Sequence, residues 1–153
     1  MSIFSKDKLR KLAAEDAAEQ QVKKKHSVLI VDDEEANLVA LASILEGRYN
    51  LLRASDGYEA LAMIKEMDDP QSVCLVISDQ RMPGLTGVML LQELAVIMPK
   101  TIRIIVTGFI DVEAIIDSVN KAHIYQFILK PFDRIELLWT INRAVETYEL
   151  QQQ

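Results

Sequence analysis

The body of the chain alternates between short, continuous apolar runs and longer segments whose apolar residues recur at helical spacing. The run SVLIV at 27–31 is typical of a strand that is buried on both faces of a sheet. The next segment places Leu38, Leu41 and Leu45 three or four residues apart, as on one face of a helix. Strands are predicted at 27–31, 49–54, 73–78, 101–106 and 125–129, and helices at 34–47, 56–67, 88–98, 111–122 and from about Phe132 onward.

This alternation of five strands with five helices predicts an α/β fold. Successive strand–helix–strand units favour a parallel sheet with helices on both of its faces. In a doubly wound sheet of this kind, ligands bind beyond the carboxyl ends of the strands. The residues that end the predicted strands are therefore the candidate functional residues.

The first 25 residues differ in charge from the rest of the chain. They carry seven basic and four acidic residues, whereas the whole chain of 153 residues has a net charge of −6. We interpret 1–25 as an N-terminal helical arm and 26–150 as the main domain, with the last helix extending to 153. The arm is either a solvated, partly frayed helix or an amphipathic helix that docks on a partner or on a second copy of the chain.

Composition excludes several classes of protein. With 50% apolar and 26% charged residues, the chain is typical of a folded soluble domain rather than a disordered one. The acidic net charge argues against direct nucleic-acid binding. Cys74 is the single cysteine, which excludes an internal disulfide and a CxxC metal site. Because no apolar run reaches membrane length, we expect no membrane span, and the single cysteine favours a location in the reducing cytoplasm.

The predicted strand ends bring together a set of residues suited to phosphoryl chemistry. Asp32 and Asp33 follow the first strand, Asp79 the third, Thr107 the fourth and Lys130 the fifth. Adjacent carboxylates raise each other's pKa unless a cation is near, and a set of oxygen donors favours Mg²⁺. A carboxylate beside Mg²⁺ can attack phosphorus, while a lysine and a hydroxyl stabilise the phosphoryl oxygens. Each residue alone could be an ordinary cap, strand residue or surface charge, but together they predict a site.

The motifs around these residues resemble those of the receiver domain of bacterial two-component response regulators. The similar stretches are VLIVDDE, LVISDQRMPGLTG, IIVTGF and FILKPF, in that order. They cover the chain from residue 27 to the final helix. The resemblance implies a flavodoxin-like, doubly wound sheet of five parallel strands in the order 2-1-3-4-5 with five helices. It identifies 26–150 as a receiver domain.

The resemblance also implies a role for each site residue. Asp79 would accept the phosphoryl group and would bind Mg²⁺ together with Asp33, with Asp32 acting mainly through water. The backbone carbonyl of Arg81 would complete the protein ligands of the ion. The side chains of Arg81 and Phe109 would tune the lifetime of the phosphorylated state by shielding it from water.

The resemblance also implies that a second group of residues forms a conformational switch. Thr107 would move its hydroxyl onto the phosphoryl group, and Lys130 would pair with that group or with Asp79. Phe127 would turn inward when the threonine moves, although a phenylalanine there also serves ordinary core packing. The Lys130–Pro131 bond resembles a cis peptide that is usual in the family.

The resemblance implies a signalling function rather than a metabolic enzyme. A sensor histidine kinase would supply the phosphoryl group, and the domain would catalyse its own phosphorylation and slower autodephosphorylation. Phosphorylation would change the surface formed by the fourth helix, the fifth strand and the last helix, and thereby control a partner or an output domain. The alternative is a pseudo-receiver that binds a partner without phosphorylation. A phosphohydrolase is disfavoured because Arg81 stands where such an enzyme needs a second acid.

The last helix suggests how two copies could pair. Leu138, Ile141, Val145 and Tyr148 form a stripe that a second copy could cover. Either the helix simply frays past the domain, or it pairs with a second copy and leads into an output module. A homodimer would then form through this helix or through the surface of helix 4, strand 5 and helix 5. Trp139 would be a half-exposed anchor of the helix or part of the dimer face. The chain would be a stand-alone receiver or a fragment of a longer regulator. Its motif SDQRMPGLTG also resembles that of receivers joined to cyclic-nucleotide or cyclic-dinucleotide enzymes.

Overall fold

A parallel sheet is the central feature of the computed structural model. The structure describes residues 6–14, 26–108, 111–112, 115–116 and 122–152. The strands are β1 (Ser27–Val31), β2 (Asn50–Ala54), β3 (Val73–Asp79), β4 (Ile102–Gly108) and β5 (Gln126–Lys130). They are hydrogen-bonded in the order β2-β1-β3-β4-β5, and all neighbouring pairs are parallel. The predicted strand order is confirmed.

Helices connect the strands and close the chain after the last of them. They are α1 (Glu35–Leu45), α2 (Gly57–Glu66), α3 (Gly87–Ile97), α4, described at 111–112, 115–116 and 122, and α5 (Arg134–Gln151). The boundaries differ from the predicted ones by one or two residues. Asp56, Thr86 and Asp133 cap three of these helices by accepting a hydrogen bond from a backbone N–H in the first turn. The predicted flavodoxin-like fold is confirmed.

The sheet separates two apolar cores. Val28 and Ile30 of β1 pack towards α1 and α5 on one face, whereas Leu29 and Val31 pack towards α2, α3 and α4 on the other. All seven residues of β3 are buried. Burial on both faces explains why these strands are continuous apolar runs rather than alternating patterns.

The stripe that suggested pairing through the last helix faces the domain's own sheet. Ile141, Val145 and Tyr148 are buried in the core beneath α5, and Leu138 packs partly against it. These residues are therefore not available to a second copy, and that part of the dimer prediction is wrong. Trp139 points the other way and is 65% exposed, so it does not anchor the helix.

A separate helix covers residues 6–14, and the described side chains along it are exposed. Leu9 and Leu12, two apolar residues of this helix, are 52% and 48% exposed. Residues 15–25, which include the run Lys23–Lys25, lie outside the described residues. Both interpretations of the arm, and the division of the chain near residue 25, stay predictions. In the part of the chain that is described, no helix is long and apolar enough to cross a membrane.

A buried arginine joins the ends of two helices at the amino edge of the sheet. Arg103 of β4 is 7% exposed. Its guanidinium donates hydrogen bonds to the carbonyls of Met98 (3.2 Å) and Thr101 (2.7 Å), just beyond α3. It also donates to the carbonyls of Ala122 (3.0 Å) and His123 (3.3 Å), at the far end of α4. Sequence reasoning missed this contact.

Candidate functional site

Three carboxylates meet at the carboxyl edge of the sheet, as predicted. Asp79 ends β3, while Asp32 and Asp33 directly follow the neighbouring β1. One ligand oxygen from each lies within 4.8 Å of the others. Asp32 is 3% exposed and Asp79 is 7% exposed, whereas Asp33 faces solvent. Asp32 Oδ1 also accepts a hydrogen bond of 3.0 Å from the backbone N–H of Glu34 at the start of α1.

Lys130 supplies the positive charge of this edge. Its Nζ donates to Asp79 Oδ1 at 2.7 Å and lies 3.9 Å from Asp32 Oδ2. The lysine ends β5, two strands away from β3, and the peptide bond to Pro131 is cis. The predicted meeting of Lys130 with Asp79, and the predicted cis bond, are both confirmed.

Burial and like charges set the electrostatics of the site. Burial raises the pKa of Asp32, and the charge of Asp79 raises it further against the attraction of Lys130. Burial also raises the pKa of Asp79, although the hydrogen bond and charge of Lys130 oppose this effect. For Lys130, burial lowers the pKa, but the hydrogen bond and charge of Asp79 outweigh it and the pKa is raised. Burial therefore keeps the pKa of both carboxyls raised even though Lys130 lies close to them.

The donor set fits a hard divalent cation. The three carboxylates offer oxygen ligands only, and their mutual repulsion is relieved by a positive ion between them. A cavity of about 390 Å³ opens onto this edge. Its lining consists of Asp33, Glu34, Asp79, Arg81, Thr107, Gly108, Asp111 and Lys130. The arrangement can hold a metal ion and leaves room beside Asp79 for a small charged group.

The two switch residues lie on neighbouring strands. Thr107 of β4 is 1% exposed. Its Oγ1 donates a long hydrogen bond of 3.5 Å to the carbonyl of Gly108. Phe127 of β5 pairs with Ile105 in the sheet register and packs partly buried on the core beneath α2 and α3. Phe109 lies outside the described residues. The roles assigned to these residues stay predictions.

The loop after β3 holds Arg81 beside a residue that sequence reasoning missed. Arg81 donates from Nε (3.0 Å) and Nη2 (2.7 Å) to Oδ1 of Asp111 in the first turn of α4. An acidic residue early in a helix is common, so Asp111 carries no distinctive sequence signal. Asp111 lines the same cavity as Asp79, which makes it part of the site.

Close backbone packing fixes the loop between β3 and α3. The Gly87 N–H donates to the carbonyl of Gln80 at 3.1 Å, and Gln80 Oε1 accepts from the backbone of Val88 at 2.8 Å. A Cβ on Gly87 would lie 2.3 Å from the carbonyl oxygen of Asp79. Only glycine permits this approach, and it holds the start of α3 directly against the backbone of Asp79.

The fold and the acidic edge together define the class of this protein. Residues 28–142 match the family model of the response regulator receiver domain, and the chain belongs to that family. The predicted family is confirmed.

Relatives with curated descriptions are longer regulators. The chain is 42% identical over 128 residues to the hydrogenase transcriptional regulatory protein HoxA of Cupriavidus necator, a match covering 84% of this chain and 26% of that protein. It is 29% identical over 119 residues to the transcriptional regulatory protein ZraR of Escherichia coli, covering 77% and 26%. The chain thus spans about a quarter of the length of these relatives.

Solved structures of other proteins are similar to this fold. The adenylate cyclase of Rhodopirellula baltica is similar with a TM-score of 0.76 and 28% identity, over 84% of this chain and 93% of that one. The signal receiver domain of an HD domain-containing protein from Pseudomonas fluorescens has a TM-score of 0.76 and 32% identity, over the same shares.

Proposed function

We propose that this domain is a phosphoacceptor receiver, in which Asp79 takes a phosphoryl group from a sensor histidine kinase. The observation that carries the proposal is the position of Asp79. It ends the central strand among three clustered carboxylates and contacts Lys130 at 2.7 Å. An isolated surface aspartate has neither neighbouring carboxylates nor a lysine contact, whereas phosphoryl transfer requires both a cation site and a positive side chain.

In the proposed transfer, one Asp79 carboxylate oxygen attacks phosphorus on the donor phosphohistidine. The P–O bond forms as the P–N bond breaks, and the electron pair returns to the imidazole nitrogen. Lys130 orients the Asp79 carboxylate and then pairs with the negative phosphoryl oxygens. In autodephosphorylation the bond between Asp79 and phosphorus breaks: a water oxygen attacks phosphorus, the carboxylate leaves with the electron pair of the broken O–P bond, and inorganic phosphate carries away both protons of the water.

Asp32, Asp33 and Asp79 are the side chains that would hold Mg²⁺, with the backbone carbonyl of Arg81 as a further ligand. The ion would neutralise charge between the carboxylates and the incoming group. The supporting observation is the clustering of these carboxylates in a largely buried site, where burial, with a smaller contribution from like charge, raises the pKa of both Asp32 and Asp79.

The proposed switch runs from Thr107 to the face formed by α4, β5 and α5. The Thr107 hydroxyl, weakly held by the carbonyl of Gly108, would move onto the phosphoryl group, and Phe127 would follow inward. The face carries exposed apolar side chains at Leu129 (45%), Ile135 (67%) and Trp139 (65%). Exposed apolar residues in one region favour binding of a partner, an output domain or a second copy. We place this signalling step in the cytoplasm, where histidine kinases have their phosphodonor.

Two side chains are proposed to set the phosphoryl lifetime. Arg81 lines the cavity beside Asp79, and Phe109 follows Thr107 by two residues. Their side chains would restrict the approach of water to phosphorus. If the rate of dephosphorylation is unchanged in both Arg81→Ala and Phe109→Ala, this role is wrong.

The test is intact-mass spectrometry of the chain after incubation with acetyl phosphate, with and without Mg²⁺. We expect one phosphoryl adduct that requires Mg²⁺, is absent from Asp79→Asn, and is retained in the surface control Asp68→Asn. Light scattering of the same samples measures whether the adduct changes the oligomeric state. An adduct that survives Asp79→Asn contradicts the assigned acceptor. The absence of any adduct on the folded wild type favours the alternative, a pseudo-receiver that acts without phosphorylation.

A further inference from the structure

We propose that Asp111 is a positioning residue that controls the site through Arg81. In the unphosphorylated domain it holds the Arg81 guanidinium, and a phosphoryl group on Asp79 competes with it for that guanidinium. Phosphorylation would thereby break the link between the loop after β3 and the first turn of α4. The inference rests on the proposed function, because it requires a phosphoryl group at Asp79.

The contact between the two residues is specific. Two donors of the Arg81 guanidinium, Nε and Nη2, converge on the single oxygen Oδ1 of Asp111, at 3.0 and 2.7 Å. The residues are thirty positions apart in the chain and belong to different elements. The pair therefore ties the loop that carries Arg81 to the start of α4.

The same pair lies at the wall of the acidic cavity. Arg81 and Asp111 both line it together with Asp79 and Lys130. Among the described residues of this lining, Arg81 and Lys130 are the cations, and Lys130 already contacts Asp79 at 2.7 Å. Arg81 is thus the cation still able to change partner when negative charge arrives at Asp79.

Charge and geometry favour that exchange. The Arg81 side chain is 70% exposed and the Asp111 side chain is 19% exposed, so water and salt reach the pair from the Arg81 side and weaken it. A phosphoryl group brings a larger negative charge and several acceptor oxygens, which suit the planar fork of a guanidinium. After release, the Asp111 carboxylate is still favoured by the helix dipole, because it lies in the first turn of α4.

Different contacts hold the two ends of α4, so loss of the Arg81–Asp111 contact would free only the end next to the site. At the far end, the buried guanidinium of Arg103 donates to the carbonyls of Ala122 and His123. At the near end, among the described residues, Asp111 contacts the exposed Arg81. Loss of the exposed contact would leave the buried one in place, so α4 would move at the end next to the site.

Competition for one guanidinium has a measurable consequence. If Asp111 and the phosphoryl group share Arg81, removing the Asp111 charge frees Arg81 for the phosphoryl group and slows hydrolysis. We expect Asp111→Asn to lengthen the phosphoryl half-life about two- to fivefold, the range set by a weak exposed ion pair. The effect must vanish when Arg81 is absent, because Asp111 acts only through it.

The experiment is a double-mutant cycle on the full chain, using acetyl phosphate and Mg²⁺ as the phosphodonor. After removal of the donor, the decay of the adduct is followed by intact mass in wild type, Asp111→Asn, Arg81→Gln and the double variant. Asp68→Asn removes the same charge from an exposed loop outside the cavity and is the matched control. Hydrogen exchange of peptides over 80–86 and 108–116 reports the link itself, and should be faster in unphosphorylated Asp111→Asn than in wild type.

The results separate the two proposals. A longer half-life in Asp111→Asn that is absent on the Arg81→Gln background, together with faster exchange, supports the role of Asp111. An unchanged or shorter half-life, or an equal effect in both backgrounds, overturns it. If wild type takes no adduct, the proposed function fails instead, and unchanged exchange in Asp111→Asn would then also overturn the link between the loop and α4.

Discussion

At the scale of single residues, Asp32 is a buried carboxylate whose charge destabilises the fold when no cation is bound. Burial raises its pKa, and Asp79 adds to the effect. A carboxyl with a raised pKa in the fold contributes its full stabilising effect below its ordinary pKa of 3.8, and that contribution is lost as the pH rises through the folded value. At neutral pH the charged form therefore lowers the free energy of unfolding.

The first prediction concerns the substitution Asp32→Asn. Asparagine keeps the oxygen that accepts from the Glu34 N–H and removes the buried charge. We expect the free energy of unfolding without Mg²⁺ to rise by about 0.5–2 kcal/mol at pH 7, as for other changes that relieve a strained functional site. Urea denaturation measures it, and Asp33→Asn, at the exposed member of the cluster, is the control and should change less.

With Mg²⁺ added, wild type should become more stable than Asp32→Asn. A ligand that binds only the folded state stabilises it, so wild type gains stability with Mg²⁺ while Asp32→Asn gains less. A loss of stability in Asp32→Asn without Mg²⁺ would contradict this account of the cluster.

At the scale of elements, Arg103 determines how α3 and α4 end. Its guanidinium satisfies carbonyls beyond the last turn of α3 and at the far end of α4, and burial lowers its pKa. Carbonyls at the carboxyl ends of helices lack partners within the helix and carry the negative end of its dipole. A buried cation at that position serves both needs, and among the described residues its hydrogen bonds go to backbone carbonyls rather than to a carboxylate.

The second prediction is that Arg103→Met lowers the free energy of unfolding by about 2–4 kcal/mol, because several carbonyls lose their donor inside the protein. Arg103→Lys should be intermediate, since an ammonium retains charge but cannot reach both helix ends with a planar fork. Urea unfolding followed by circular dichroism measures both. Equal stability of wild type and Arg103→Met would show that the contact is dispensable.

At the scale of the whole molecule, the fold buries two titratable groups that are neutral at physiological pH. Burial raises the pKa of the Cys74 thiol from 9.0 to about 12. Burial, with a contribution from Cys74, also raises the pKa of Tyr49 from 10.0 to about 12. Cys74 belongs to β3 and Tyr49 precedes β2, and both lie in the core beneath α1 and α5.

The third prediction follows from these shifts. The neutral forms stabilise the fold fully below the unfolded values, and the contribution is lost as the pH rises towards about 12. The free energy of unfolding should therefore fall between about pH 9 and pH 12, and fall less steeply in Cys74→Ala and in Tyr49→Phe. Urea titrations at stepped pH measure the slopes. Identical slopes in all three proteins would rule out these groups as the cause.

The sequence alone was enough for the framework of the molecule and for most of the candidate site. Burial on both faces makes parallel strands continuous apolar runs, so β1, β3 and β4 were recognisable from local pattern. Parallel connections bring all strand ends to one edge, which placed Asp32, Asp33, Asp79, Thr107 and Lys130 together without coordinates. These inferences succeed because they depend on the period of the chain and on topology.

Contacts between residues distant in sequence were decided only by the tertiary structure. The partner of Arg81 is Asp111, thirty residues away, and nothing in the local sequence distinguishes that aspartate from an ordinary first-turn acid. The apolar stripe of α5 was visible in the sequence, but packing decided that Ile141 and Val145 face the sheet and leave Trp139 exposed. A periodic pattern shows that a face must be covered, whereas only the three-dimensional arrangement determines what covers it.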